Sequence, residues 1–314
     1  MTLEPISRRA EWQKSLIQAL PARRWQALNW CQRLWPFRKP FVGRFRGGYL
    51  EVHPGEVASM AAYFAGFYER ETTLLVQQIV EGRRMTIFDV GSNFGYFSLL
   101  CGALAAEESR IFAFEPDPAN FAWLSRNLQL NPRLPIQAQH NAVSDRAQTV
   151  EFVPSNIEQQ SNLWSHIQFH EQSGKPADED TIKVPAIALD DFCDANSLET
   201  IDLVKIDVEG AEGFVLDGMT RGLERGRYQR IILEVHPPEA LPPGHSAERI
   251  LQKLADHGYK GVHIRNSHLE AAHDRRRETY RLVYEDSILE PLVPGAERSI
   301  WDNYFYLAPG IEVR

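Results

Sequence analysis

Cysteine is scarce in this 314-residue sequence: Cys31, Cys101 and Cys193 are the full set, too far apart for a disulfide framework or a thiolate metal site. They read as ordinary thiols of a reducing compartment, so a cytoplasmic protein is expected. No run approaches 18 consecutive apolar residues, so no transmembrane helix is expected. The N-terminus lacks a short apolar core behind a basic head, because charges and glutamines interrupt it, and a secretory signal is not expected either. Internal repeats and low-complexity segments are also missing. The hydrophobic fraction of 43 % is ordinary for a globular chain. The length allows one large α/β domain or two smaller ones.

Basic residues are scarce beyond the first fifty positions. Residues 1–50 hold ten Lys or Arg against two acids, whereas the rest of the chain holds 24 against 40. An acidic body argues against nucleic acid as a partner. The basic arm interleaves Trp12, Trp25, Trp30 and Trp35 with Leu16, Leu20 and Leu28 at near-helical spacing. That mixture suits peripheral contact with an anionic membrane surface. The simpler expectation is a helical extension packed on the body or on a second subunit of a homo-oligomer. Pro36 and Pro40 break the arm from the rest of the chain. Residues 1–55 are therefore set apart as a basic, Trp-rich extension, and residues 56–314 as the main domain.

Glycine is the next informative shortage. Thr86–Val90 reads as a strand, runs into Gly91 and Gly95, and gives way to a helical pattern from Tyr96. Strand, glycine turn and helix in that order form a site for a nucleotide-type ligand. A dinucleotide loop needs Gly-x-Gly-x-x-Gly so that a pyrophosphate can lie on bare amides. Here the pattern is Asp89-x-Gly91-x-Asn93-x-Gly95, with Ser92 and Asn93 inside it, so one of those glycines is missing. Glu115, about 20 positions further on, stands where a carboxylate partners ribose hydroxyls. It could equally cap the helix after Pro116.

From Ile87 onward strands alternate with helices, which implies a parallel sheet. Strands are expected at Thr86–Val90, Arg110–Phe114, Ile136–Val143, Ile201–Ile206, Arg230–Val235, Lys260–Ile264 and Asn303–Leu307. Helices are expected at Tyr96–Ala105, Pro118–Leu130 and Ser246–His257. Val150–Val153 and Thr181–Ala186 read as an added strand pair, joined by a long polar connection from Pro154 to Asp180. Ligands of open parallel sheets bind beyond the carboxyl ends of the strands. Asp89, Glu115, Asn141, Asp207, Glu234 and His236 all fall at such ends.

With these residues in view, the chain resembles a known family. The turn after the first strand looks like motif I of class I S-adenosyl-L-methionine (SAM) methyltransferases. Ile201-Asp-Leu-Val-Lys205-Ile-Asp207-Val-Glu209-Gly210-Ala-Glu212 resembles the signature of the FkbM family among them. Supporting matches are Gly66-Phe-Tyr-Glu69, Phe114-Glu115-Pro116, Asn141-Ala-Val-Ser-Asp145, Leu189-Asp190-Asp191 and Glu234-Val-His236. The resemblance covers roughly residues 60–240 and leaves out the arm. It implies an α/β, Rossmann-like class I methyltransferase fold: a seven-stranded, mostly parallel sheet with an antiparallel last strand, plus the N-terminal helical extension. It also implies SAM as cofactor and methyl transfer to a hydroxyl of a sugar, glycolipid or small natural product. Competing readings are an NAD-dependent Rossmann oxidoreductase and a SAM-binding module without catalysis.

The resemblance distributes the roles. Gly91, Ser92, Asn93 and Gly95 hold the methionine part, with Asp89 orienting the loop or the ammonium group. Glu115 accepts both ribose hydroxyls, Asn141 and Ala142 flank the adenine, and Asp207 stands beside the methyl group. An alcohol is a poor nucleophile at neutral pH, so a base is expected. Asp207 or His236 is the expected base, with Glu234 in support, Glu209 beside them and Lys205 pairing with Asp207. Asp207, Glu209 and Glu234 are also oxygen donors that suit a hard divalent ion, a secondary alternative. The acceptor, a small molecule or glycan, is expected to meet residues 154–180 and 268–277.

Overall fold

The computed structural model describes residues 8–19, 39–154, 166–167, 181–264, 289–291 and 302–311. Helix α1 (Arg8–Gln18) buries Ala10, Gln13 and Ile17, one face of the helix, and leaves Trp12 58 % and Leu16 38 % exposed. Its Glu11 carboxylate accepts a 2.8 Å hydrogen bond from the Tyr63 hydroxyl, and the Lys14 ammonium lies 4.4 Å from the centre of that ring. Leu20, Trp25, Leu28, Trp30 and Trp35 lie outside the described residues.

Strands β1 (Phe41–Phe45) and β2 (Gly48–Val52) form a hairpin closed by Arg46 and Gly47. Both turn residues have positive φ, 48° and 83°, the geometry of a type I′ turn. Helices α2 (Val57–Phe64) and α3 (Arg70–Val80) come next, separated at Gly66–Glu69. The hairpin is bolted to the later helix α5 (Pro118–Leu130). Asn127 Oδ1 accepts from the Glu51 amide at 2.7 Å, the Trp123 indole donates to the Glu51 carbonyl at 3.1 Å, and Arg126 Nε pairs with the buried Glu51 carboxylate at 2.7 Å. Asn127 Nδ2 donates in turn to the Phe94 carbonyl at 2.8 Å, which ties the hairpin to the glycine turn.

The central sheet is built from β3 (Thr86–Val90), β4 (Arg110–Phe114), β5 (Ile136–Gln139), β10 (Leu203–Ile206), β11 (Arg230–Val235), β12 (Lys260–Ile264), β13 (Leu289–Pro291) and β14 (Asp302–Leu307). Its order is β13-β12-β14-β11-β10-β3-β4-β5. The pairs from β11 through β10, β3 and β4 to β5 are parallel, and β14 enters antiparallel between β11 and β12. This is the expected seven-stranded class I arrangement, extended by the short edge strand β13. The inner strands are apolar on both faces, as strands covered by helices must be. Ile87, Ile111 and Leu203 pack into one core with helix α4 (Tyr96–Leu104) and Trp123. Phe88, Phe112 and Val204 pack into the other, with α6 (Leu189–Ala195) and α7 (Glu212–Asp217).

One expected strand is two. Ile136–Gln139 closes the edge of the central sheet, but Ala142–Val143 (β6) pairs with Ile182–Ile187 (β9) in a second sheet, in the order β6-β9-β7-β8. There β9 also pairs antiparallel with β7 (Gln148–Val153), and β8 (His166–Ile167) adds to β7. Because β5 is an edge strand, the chain can leave at His140 and cross to the neighbouring sheet. The break therefore falls beside Asn141, at the carboxyl end of the sheet. The helix expected at 246–257 is α9 (Ala247–Asp256), with α8 (Thr220–Glu224) before β11; the Ser246 side chain caps α9 by accepting from the Arg249 amide.

Candidate active site

The turn after β3 runs against the backbone beyond β10. Gly91 has φ +79°, and a Cβ there would lie 1.7 Å from the Asp207 carbonyl oxygen, so only glycine fits. Four of the turn's amides are spent within the protein. Gly91 and Ser92 both donate to the Phe114 carbonyl at 3.0 Å, Gly95 donates to the Ser92 carbonyl at 2.7 Å, and Asn93 donates to Glu115 Oε2 at 2.7 Å. Glu115 Oε1 accepts from the Asp117 amide at 2.8 Å. Asp117 caps α5 by accepting from Ala119 and Asn120, so Glu115 is not the helix cap. Burial pushes the Glu115 carboxyl up to about 8, against the pull of its two amide donors.

Four carboxylates meet one ammonium at the ends of β3, β10 and β11. Lys205 Nζ stands 2.8 Å from Asp207 Oδ2 and 4.6 Å from the centre of the Phe97 ring. Burial acts to lower the Lys205 pKa, but Asp207, Glu69, Asp89 and Glu234 outweigh it and hold the lysine charged. Burial would raise Asp207; Lys205 and then His236 outweigh it, and the carboxyl sits below its ordinary value. Glu234 is pushed well above its ordinary value by burial, then by Asp207 and Glu69. Burial likewise raises Asp89, whose Oδ2 accepts from Ser98 at 2.5 Å while its buried Oδ1 has no partner.

Glu69 is a site residue that the sequence reading placed only in a supporting motif. It sits at the start of α3 in a left-handed conformation, φ 44°, without capping the helix. Burial, opposed by Lys205, pushes its carboxyl up to about 7, and its Oε2 is buried without a hydrogen-bond partner. Its one sequence signal was an acid following an apolar glycine turn just ahead of the first strand.

His236 departs from its expected role as a base. Its Nδ1 lies 2.5 Å from Glu212 Oε1 and its Nε2 lies 3.0 Å from Glu209 Oε2. Burial acts to lower its pKa, but the hydrogen bonds to Glu209 and Glu212 prevail and raise it to about 11. An imidazolium between two carboxylates has no lone pair to accept a proton. Glu212, fully buried and quoted in the sequence only as part of a run, is the residue that fixes this ring. Burial raises the Glu209 carboxyl. Asp207 and Glu209 keep 23 % and 24 % of their side chains exposed, so the cluster opens to solvent on their side. Possible ligand atoms of Asp207, Glu209 and His236, and of Glu69, Asp207 and Glu234, lie within 4.8 Å of one another.

Glu115 donates its amide to the Gln139 carbonyl at 3.0 Å, which brings the end of β4 to within two residues of Asn141. Asn141 is half-buried there, while Ala142 packs into the core of the second sheet with Ala186 and Ala211. Most of 154–180 and all of 268–277 lie outside the described residues. Among the described residues, no helix is long and apolar enough to cross a membrane.

Residues 89–260, which carry the glycine turn, Glu115 and all of the Lys205 cluster but Glu69, match the sequence model of the methyltransferase FkbM domain. The chain belongs to the FkbM methyltransferase family. Similar proteins include the hexuronic acid methyltransferase AglP of Haloferax volcanii, 29 % identical over 150 residues, 48 % of this chain and 55 % of that protein. The 2-O-methyltransferase NoeI of Sinorhizobium fredii is 30 % identical over 166 residues, 49 % of this chain and 65 % of NoeI. The methyltransferase sdnD of Sordaria araneosa is 31 % identical over 181 residues, 50 % of this chain and 68 % of its own. The chain thus spans little more than half of AglP and just under two thirds of NoeI. The FkbM match begins inside β3, so Glu69 and the hairpin that supports the glycine turn precede it.

Proposed function

We propose that this chain is a SAM-dependent O-methyltransferase whose acceptor is a hydroxyl of a sugar, glycolipid or small natural product. The observation that carries the reading is the charge imbalance: one lysine faces Asp207, Glu69, Asp89 and Glu234. The buried Asp89 Oδ1, a carboxylate oxygen without a partner, calls for a cationic ligand. SAM carries two cationic centres and fits that demand. A dinucleotide fits less well, because Gly91, Ser92, Asn93 and Gly95 already donate their amides inside the protein rather than holding them out to a pyrophosphate. A divalent ion is also a poorer match, since the Lys205 ammonium 2.8 Å from Asp207 would stand against it. The names of AglP and NoeI, one for a hexuronic acid and the other for 2-O-methylation, support a sugar hydroxyl as acceptor.

When bound, SAM supplies a methyl group made electrophilic by its sulfonium. The work of this chain would be to hold donor and acceptor in line and to receive the acceptor's proton. Gly91, Ser92, Asn93 and Gly95 shape the seat of the methionine part, with Asp89 beneath it. Glu115 keeps free lone pairs on both oxygens for the ribose hydroxyls, and Asn141 and Ala142 border the adenine. Asp207 is too weak a base beside Lys205, and His236 is already protonated. Glu69, whose carboxyl burial raises to about 7, is the base that suits neutral pH, with Glu234 beside it. His236 and Glu212 hold Glu209 at the mouth of the site.

Calorimetric titration with SAM, S-adenosylhomocysteine (SAH) and NAD tests the donor. SAM and SAH saturating the protein without NAD is the expected result, and the reverse would overturn the reading. Glu115→Ala should weaken SAH by about 1–3 kcal/mol, the cost of leaving the ribose hydroxyls without their acceptor. Transfer of labelled methyl from SAM to a panel of sugars, uronic acids and lipid-linked glycans then tests the acceptor. Undiminished turnover after EDTA dialysis is expected.

A further inference from the structure

We propose that a second site, at the opposite end of the sheet from the carboxylate cluster, binds a small organic phosphate ester between Arg46 and Arg133. A cavity of about 330 Å³ lies there, lined by the hairpin turn, the second half of α4 and the segment that leads from α5 into β5. Helices that succeed parallel strands run back to the strands' amino ends, so this cavity and the glycine turn stand at opposite ends of α4. The volume is at the small end of the range for ligand sites.

The lining divides by chemistry. Leu99, Leu130 and Leu134 make an apolar floor, Arg46, Arg133 and the 40 %-exposed Tyr49 make the rim, and no acidic residue contributes. Among the described residues neither arginine has an acidic partner; the bond recorded for Arg46 is a long one, 3.5 Å, to Gln77 Oε1. Paired guanidinium groups match a phosphate because each can donate two parallel hydrogen bonds to it.

The backbone under Arg46 argues that its side chain is wanted. Position 46 opens a type I′ turn at φ 48°, where asparagine, aspartate or glycine is the comfortable choice. Among the described residues, the non-glycine ones with positive φ are Arg46, Glu69, Asn93, Ser197 and Glu209, and three of these five belong to the site described above. Strain of this kind gathers where a side chain is needed in place. The two arginine-bearing walls are also fixed to each other. Asn131 accepts from the Tyr49 amide at 2.8 Å and donates to the Tyr49 carbonyl at 2.7 Å, and a Cβ on Gly48 would lie 2.1 Å from Asn131 Oδ1. The cavity is therefore preorganised rather than a chance gap between loops.

Titration calorimetry with hexyl phosphate, hexanol and inorganic phosphate on the full chain tests this. Hexyl phosphate should bind at least about tenfold more tightly than either half alone, and Arg46→Gly or Arg133→Gln should each weaken it about tenfold or more. Arg46→Gly relieves the positive φ, so the Tm of the unliganded variant should stay level or rise, and SAH affinity should not change. Hexyl phosphate failing to bind at millimolar concentration, or binding both variants as well as the parent, would overturn the proposal. Arginine-dependent sedimentation with phosphatidic acid vesicles in the absence of hexyl phosphate binding would overturn it in favour of a lipid surface.

Discussion

Gly91 and Asp207 meet backbone to backbone, with room for a hydrogen and nothing larger between the Gly91 Cα and the Asp207 carbonyl. The donor turn and the carboxylate at the end of β10 are thereby set in one rigid relation. Gly91→Ala should cost about 1–2 kcal/mol for the left-handed backbone alone, with overpacking added to it. Thermal unfolding and SAH calorimetry check this: a lower Tm and lost SAH binding are expected, and an unchanged Tm would mean that the turn and β10 can move apart.

Stability should fall as pH rises from about 5.5 to about 8.5. Glu69 and Glu115, raised to about 7 and about 8 from an ordinary 4.5, hold protons in the folded protein that the unfolded chain has released. Wherever the folded state binds more protons, rising pH destabilises it. His236, raised to about 11 from 6.5, acts the same way: its contribution is complete below pH 6.5 and is lost as pH climbs through 11. Asp207 and Glu51, held below their ordinary values, act in the opposite sense: their contribution is complete above the ordinary carboxylate range and is lost only as pH falls into acid. Denaturant unfolding of the ligand-free protein at pH 5.5 and 8.5 should differ by at least about 2 kcal/mol. A flat profile would contradict the burial of these carboxyls.

Removing His236 should be more damaging than its size suggests. His236→Ala leaves Glu212, which is fully buried, and Glu209 without their shared cation. Breaking a buried pair from one side costs about 3–5 kcal/mol. His236→Gln, which keeps one donor, should recover part of it. Equal stability of the alanine variant and the parent would show that the two carboxylates do not depend on the ring.

The division between donor binding and proton removal can be read from two variants. Glu69→Gln should keep SAH affinity and lose turnover, on the order of 100-fold or more for a removed base. Asp207→Asn should weaken SAM more than SAH, because the sulfonium loses a neighbouring charge. If Glu69→Gln instead abolishes SAH binding, Glu69 serves the donor and is not the base.

The parallel strands were legible in the sequence because strands buried on both faces are short apolar runs, and residues 86–90, 110–114 and 230–235 came out with their observed bounds. The split at His140 was not legible, because Ile136–Val143 keeps its strand-forming character while the chain changes sheets. The chemistry followed the same divide. Polar residues at strand ends pointed to Asp89, Glu115, Asp207, Glu234 and His236, since that pattern needs only chain order. Glu69 comes from a helix start before the first strand, and the Glu212 contact to His236 joins two loops; both depend on packing. Asp190 is a similar case: the sequence marked its motif, but only the fold shows it accepting from the Arg221 and Gly222 amides and the Tyr228 hydroxyl.

Asn127, which holds the Glu51 amide with one end of its side chain and the Phe94 carbonyl with the other, has a consequence for how this fold can be cut and exchanged. The match to the FkbM domain begins at residue 89, yet the rings of Phe94 and Trp123 stack within a core that also includes Phe41, Leu50 and Val52 of the hairpin. A polypeptide trimmed to the family's edge would present that aromatic layer to water and should aggregate. In a chimera between relatives, the first half-hundred residues must travel with the donor-binding half, as one inherited piece.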